Sequence, residues 1–211
     1  MPVAALAGAV EHAKRHVENG VDIVIAQGYE AGGHTGEIAS MVLWPEIVDA
    51  LGDSAAVLAA GGVGSGRQVA AALALGASGV WMGSYWLTTS EYKLGAAAHG
   101  PSSIQRALLG ASSSDTVRSR IYSGKPARLL KTKWTEAWSK PDAPEPLPMP
   151  LQNILVSEAH QRMSAADDPE AVAMPVGQVV GRMNEIRPVA EIMAELVRGY
   201  DEAVERLNEA R

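Results

Sequence analysis

The chain has 211 residues, 47 % of them hydrophobic, ample for a buried core in one large domain or somewhat more. Its net charge of −6 and pI near 5.4 argue against nucleic acid or an anionic membrane as a partner, since both reward clustered Lys and Arg. The absence of cysteine excludes disulfides, a thiolate nucleophile and Cys-ligated metals, no run reaches the ~18 apolar residues of a membrane span, and the first residues lack a signal-peptide n-region, so a cytoplasmic protein is expected.

In chain order, Val3 to Ala7 reads as a short strand ended by Gly8, and Glu11 to Asn19 as a helix stopped by Gly20. "VDIVIAQG" (21–28) is apolar on both faces, as a strand buried inside a parallel sheet should be, and it runs into the loop "QGYEAGGHTG" (27–36). "WPEIVDALG" then predicts a helix with Pro45 near its first turn and Gly52 as its stop. "AAVLAAGG" (55–62) is a third strand, "GRQVAAALALGA" (66–77) a third helix, "GVWMGS" (79–84) a fourth strand, and "YWLTTSEYKLGAAA" a fourth helix. Fourfold alternation of strand and helix predicts α/β structure with a parallel sheet, doubly wound or of (β/α)8 type.

Beyond about residue 97 the composition changes. The Pro-rich stretch "KPDAPEPLPMP" (140–150) reads as an extended connector, and the last helix carries one apolar stripe through Ile186, Val189, Ile192, Met193, Leu196, Val197, Tyr200, Val204 and Leu207, with Pro188 in its first turn. The division expected is therefore 1–96 for the βα units and 97–211 for a mainly helical, Pro-rich region. The terminal stripe packs on the βα units or on a second copy of the chain, which leaves a homo-oligomer open.

Three strands end in glycine-rich turns, "QGYEAGGH", "AAGGVGSG" and "WMGS", at the edge where parallel α/β folds bind ligands. Paired glycines there let backbone N–H groups approach an anion, which makes Gly61, Gly62 and Gly83 candidate phosphate ligands, with turning of the chain as the competing explanation. No "GxxxxGK[ST]" is present, and "GGVGSG" lacks the acidic residue of a dinucleotide fingerprint, so the phosphate need not belong to a nucleoside triphosphate.

The runs "VIAQGYEAGGHTG" and "AAGGVGSGRQVAAALALGASGVWMGS" resemble the nitronate monooxygenases, formerly called 2-nitropropane dioxygenases, which are FMN flavoproteins on a TIM barrel. The resemblance is strong over about residues 1–96 and extends through "DTVRSR", "GKPAR" and "PVGQVVGRMN" in the tail. It implies TIM-barrel-type βα units, about the last four of eight, beginning at the fifth strand. The chain is accordingly expected to be a fragment or to have a misassigned start.

Residue by residue, the resemblance makes Gln27 and Gly32 flavin contacts, Gly62 a phosphate ligand, and Trp81, Met82, Gly83 and Ser84 a second phosphate-binding turn. It makes His34 the catalytic residue, an imidazole over the reactive face of the flavin that takes the α-proton of a nitroalkane or hydrogen-bonds a nitronate. Oxygen then completes oxidation to a carbonyl compound and nitrite. A histidine of ordinary pKa ~6.5 suits that task at neutral pH. Two rivals remain: a flavin-dependent enoyl-[acyl carrier protein] reductase, which shares the fold and a similar glycine–histidine loop, and a truncated, non-catalytic remnant.

The other histidines carry blander expectations. His12 and His16 have the i, i+4 spacing of metal ligands but no acidic partner in a zincin pattern, and His99 and His160 are expected to face solvent. Glu30 is expected to orient the glycine loop by hydrogen bonding.

Overall fold

The computed structural model describes residues 1–93 and 100–210, and these fall into two compact units. The first comprises Met1–Ala31, Thr35–Gly83 and Pro188–Arg211, and the second Gly32–His34 and Ser84–Arg187. These boundaries differ from a single division at residue 96, because the chain leaves the first unit at Ser84 and its last residues return to it.

In the first unit, β1 (Ala4–Ala7), β2 (Ile23–Gln27), β4 (Ala56–Ala60) and β5 (Gly79–Trp81) form a parallel sheet in the order β1-β2-β4-β5. The helices α1 (Val10–Glu18), α2 (Ser40–Leu51) and α3 (Gly66–Ala74) connect them. These are the parallel βα units expected from the alternation, and the TIM-barrel-type units that the resemblance implies. One face of the sheet, carrying Ala7, Val24, Ala26, Val57 and Ala59, packs on Ala13, Leu43, Trp44, Ile47 and Ala72 of the helices. The Trp44 indole N–H lies 3.1 Å from both the Ala26 and the Ala60 carbonyl oxygens, tying α2 to two strands at once.

Helix α2 begins at Ser40, four residues before the start expected from Pro45, so Pro45 lies inside the helix. A proline there leaves the carbonyl of Met41 without its helical donor, and Met41 is 67 % exposed, where water can take that role.

Over the described part of the fourth helix expected from the sequence, residues 85–93, no α-helix forms. Residues Ser84–Thr88 form only a short 3-10 turn, and residues 94–98 lie outside the described residues. The helix that packs against α3 is instead the C-terminal one, α7 (Val189–Glu209), with Pro188 as its N-cap rather than in its first turn. Gly66 makes that packing possible, because a Cβ there would run into the α7 backbone at Leu196, Gly199 and Tyr200. The apolar stripe of α7 is divided accordingly: Ile192 and Leu196 are buried, whereas Met193 and Val197 are about half exposed.

The second unit contains α4 (Ser103–Leu109), α5 (Lys133–Trp138) and α6 (Leu151–Ala166), and also an antiparallel sheet that the sequence did not announce. Its order is β3 (Gly33–His34), β7 (Ala127–Leu130), β6 (Thr116–Ser119). The Pro-rich stretch is not a free linker, because Leu147–Met149 lies where a Cβ on Gly124 would go.

Replacing Gly66 with Ala is expected to lower the melting temperature clearly, by a destabilisation on the order of 1–3 kcal/mol or more, since rigid backbone must move. Gly110→Ala, at a position with nothing within 4 Å of the added Cβ, is expected to leave it nearly unchanged. Equal melting of the two variants would contradict the α3–α7 contact.

Candidate functional site

At the carboxyl edge of the parallel sheet, three segments converge on Ser40. A Cβ on Gly28, just after β2, would fall on the Ser40 side chain and 2.7 Å from its Cα, and one on Gly61, just after β4, would come within 2.9 Å of the Ser40 Oγ. The Ser40 hydroxyl is 2.8 Å from a Glu30 carboxylate oxygen and 3.2 Å from the Gly61 carbonyl, and the Ser40 N–H donates to Glu30 at 3.0 Å. Glu30 thus places its charge on the N-terminus of α2, satisfying an amide the helix leaves open. It orders the loop by hydrogen bonding, as expected of it.

With α2 already capped by a carboxylate, the anion-binding capacity of this edge lies beside it, after β4 and β5. The register pairs Ala60 with Trp81, which sets Gly62 and Gly83 on adjacent strand ends. Gly62 has φ +73°, and an added Cβ would meet only the Glu30 Cβ, at 3.6 Å; at Gly83 it would meet nothing within 4 Å. Among the described residues, the N–H groups of Gly62, Val63 and Gly83 have no protein acceptor. The Gln68 side chain holds the turn in shape, donating to the Gly62 carbonyl at 2.7 Å and accepting from the Gly64 N–H at 2.9 Å. Open space over two glycines with three free amides is a cradle of the right chemistry for a phosphate.

The remaining expected residues of this edge divide by side chain and backbone. Met82 packs its side chain against the helix-facing core, so any ligand would meet its backbone. Trp81 is 50 % exposed and, like Gln27 at the end of β2, lies on the sheet face turned away from the helices; it is not a core tryptophan. Gly61 has φ +106° and its closest neighbours are Ser40 and Gly28, which by themselves account for a glycine there.

Gly32, His34 and Ser84 belong to the second unit. Gly32 is required by protein packing, since a Cβ would stand 2.6 Å from the Val176 carbonyl carbon and 2.7 Å from the Gly177 nitrogen. The Ser84 hydroxyl accepts the Gly177 N–H at 2.9 Å. His34 is fastened by backbone pairing, with Gly33 opposite Arg128 and His34 opposite Ala127. Its Nε2 lies 2.5 Å from the hydroxyl of Ser123, a residue only 3 % exposed. Partial burial lowers the His34 pKa from its ordinary value, and the positive charge of Lys125 lowers it further. Both effects favour the neutral imidazole, the form able to accept a proton. Ser123 and Lys125 were not singled out in the sequence, although they fall in the run "SGKPAR".

Of the other histidines, His16 gives its Nε2 to the Leu6 carbonyl at 3.0 Å, and no group of three metal-ligating side chains occurs among the described residues. His160 is only partly exposed: it stacks on Tyr122 at 5.3 Å and meets Trp134 edge-on at 5.6 Å, and its Nε2 is buried, so it does not simply face solvent. Burial lowers its pKa as well. His99 lies outside the described residues.

Comparison with known proteins bears on these motifs directly. The profile of the nitronate monooxygenase family matches residues 1–199. The chain belongs to the nitronate monooxygenase family. A Mycobacterium tuberculosis protein whose name places it provisionally among the monooxygenases is 52 % identical over 211 residues, covering 97 % of this chain and 54 % of that protein. The solved nitroalkane oxidase of Streptomyces ansochromogenes superposes with a TM-score of 0.85 at 29 % identity, covering 98 % of this chain and 59 % of that one. FabK of Thermotoga maritima superposes with a TM-score of 0.82 at 30 % identity, covering 100 % and 64 %. The chain spans about half the length of the curated nitronate monooxygenase-like relatives it matches. No helix among the described residues is long and apolar enough to cross a membrane.

Lys125→Met is expected to raise the titration midpoint of His34, because it removes a cation that disfavours the imidazolium. Lys125 is exposed, so the rise should shrink as salt is added. An NMR titration of His34 measures it, and an unchanged or lowered midpoint would contradict the assignment of Lys125.

Proposed function

We propose that the chain carries the FMN-phosphate and base portion of an oxidoreductase that converts nitronates and nitroalkanes, with oxygen, to carbonyl compounds and nitrite. The observation that carries this reading is His34, whose Nε2 lies 2.5 Å from the Ser123 hydroxyl in a chain that the family profile matches over residues 1–199. The open cradle at Gly62, Val63 and Gly83 supports FMN as the cofactor, with Gln27 against the ring and Gly61 and the backbone of Trp81, Met82 and Gly83 beside the phosphate. When bound, FMN supplies the redox centre between substrate and oxygen.

The protein's own part is positioning and proton transfer. In the tautomer that donates Nε2–H to Ser123, the lone pair is on Nδ1 of His34, and Nδ1 is the atom that takes the α-proton of a nitroalkane. A nitronate has already lost that proton, so the imidazole need only hydrogen-bond it. Oxygen uptake with nitrite release from a nitronate tests the reaction; anaerobic consumption of NADH with an enoyl thioester would favour the reductase reading instead.

Gly62→Val should reduce FMN retention, read as flavin absorbance per protein after gel filtration, and unchanged retention would place the phosphate elsewhere. His34→Asn should retain flavin while slowing turnover of a neutral nitroalkane by roughly 10²- to 10⁴-fold, the worth of a positioned general base. Turnover of the pre-formed nitronate should fall less, by the loss of one hydrogen bond of about 1–3 kcal/mol. Equal turnover by parent and variant at matched flavin occupancy would remove His34 from the reaction.

A further inference from the structure

We infer that helix α6 is a positioning element for His34, acting through Gln152 on the loop that carries Ser123. The loop joins β6 to β7, two strands paired antiparallel with Ser119 opposite Ala127, and it holds Arg120 to Pro126. Its own hydrogen bonds are few. The Gly124 N–H donates to the Arg120 carbonyl at 2.8 Å, Arg120 Nε donates back to the Gly124 carbonyl at 3.0 Å, and the Lys125 N–H approaches the Ser123 hydroxyl at 3.4 Å. In the middle of the loop, where Ile121 and Tyr122 lead into Ser123, the Ile121 N–H reaches the Ser119 hydroxyl at the longer distance of 3.3 Å, while the Ile121 carbonyl finds its partner outside the loop.

That middle is held from α6. Gln152 is fully buried, at 0 % exposure, and both ends of its amide are committed: Nε2 donates to the Ile121 carbonyl at 2.9 Å, and Oε1 accepts the Leu147 N–H at 3.0 Å. Eight residues further along the same helix face, the His160 ring stacks on Tyr122 at 5.3 Å with a 23° angle between planes, and Val156 between them is also buried. A buried glutamine that spans two backbone groups, neither in regular structure, has no packing reason to be polar; its amide serves to fix where the Ile121 carbonyl stands. Two residues further on, the Ser123 hydroxyl meets His34 Nε2 at 2.5 Å, a contact that tolerates little displacement. Gln152 and the His160 stack therefore determine which ring nitrogen of His34 is engaged and which is left basic, while touching neither substrate nor cofactor.

This inference rests on reading His34 as the base, but its test does not use turnover. Ring ¹⁵N chemical shifts of His34 report which nitrogen carries the proton and how it is hydrogen-bonded, and they are measured on the full chain for the parent, Ser123→Ala, Gln152→Met and the double variant. Gln152→Met preserves volume and removes both hydrogen bonds. The shifts in Gln152→Met should leave those of the parent and coincide with those of Ser123→Ala, and the double variant should show no further change, because both substitutions act on one contact. His160→Leu removes the stack without orphaning a hydrogen-bonded group, so it provides the same reading if Gln152→Met does not fold, and it should move the shifts in the same direction. Parent-like shifts in either folded variant, or additive changes in the double variant, would overturn the proposal. If His34→Asn leaves nitroalkane turnover intact while these shifts behave as expected, the positioning stands and the assignment of the base falls.

Discussion

The architecture of the sheet edge depends on one serine. Ser40 occupies the space where Gly28 and Gly61 would carry side chains, and its hydroxyl and amide engage Glu30. This packing draws the ends of β2 and β4 against the first turn of α2 and neutralises that helix terminus with a protein carboxylate. An external anion therefore has no place at α2. The next turn, after β4, is left with amides that have no acceptor among the described residues and with Gly62, whose added Cβ would meet only the Glu30 Cβ at 3.6 Å, so the same contact that closes one helix terminus leaves its neighbour available.

A second constraint governs the imidazole. Residues 33 and 34 pair with β7 in an antiparallel ladder, which removes His34 from the freedom of a glycine loop and sets it against Ser123. The glycines around it divide into two kinds. Those at 28, 32 and 61 are explained by protein atoms in contact with them, whereas those at 62 and 83 border open space. The distinction matters chemically, because the first kind is accounted for by the protein's own packing whether or not a ligand binds, whereas the second is not; a glycine-rich motif is not uniformly a binding motif.

The strands and the glycine turns were legible in the sequence because each is a local signal: buried β-branched runs, a stop residue, a helical repeat. What was not legible is long-range. The bond between His34 and Ser123 joins residues 89 positions apart, and the strands that bring it about are two and four residues long, too short to show a period. The return of α7 to pack on α3 was equally hidden, since its apolar stripe says that it packs but not on what. His160 was misread as exposed because its polar neighbours in sequence occupy other faces of α6, while its own face meets Tyr122 and Trp134. The placement of Pro45 shows the same limit in a helix, since the residue alone does not say whether it opens the element or lies within it.

The proposed phosphate site of the flavin consists of backbone amides after β4 and β5 that have no acceptor among the described residues. Binding of riboflavin and of FMN to the purified chain, followed by quenching of flavin fluorescence, tests it most directly, because the two ligands share the ring and ribityl chain and differ in the phosphate alone. FMN binding at least tenfold tighter than riboflavin, on the order of 1.4 kcal/mol or more, is the predicted result. Equal affinities would mean that the cradle at Gly62, Val63 and Gly83 does not bind the phosphate, and would contradict the account.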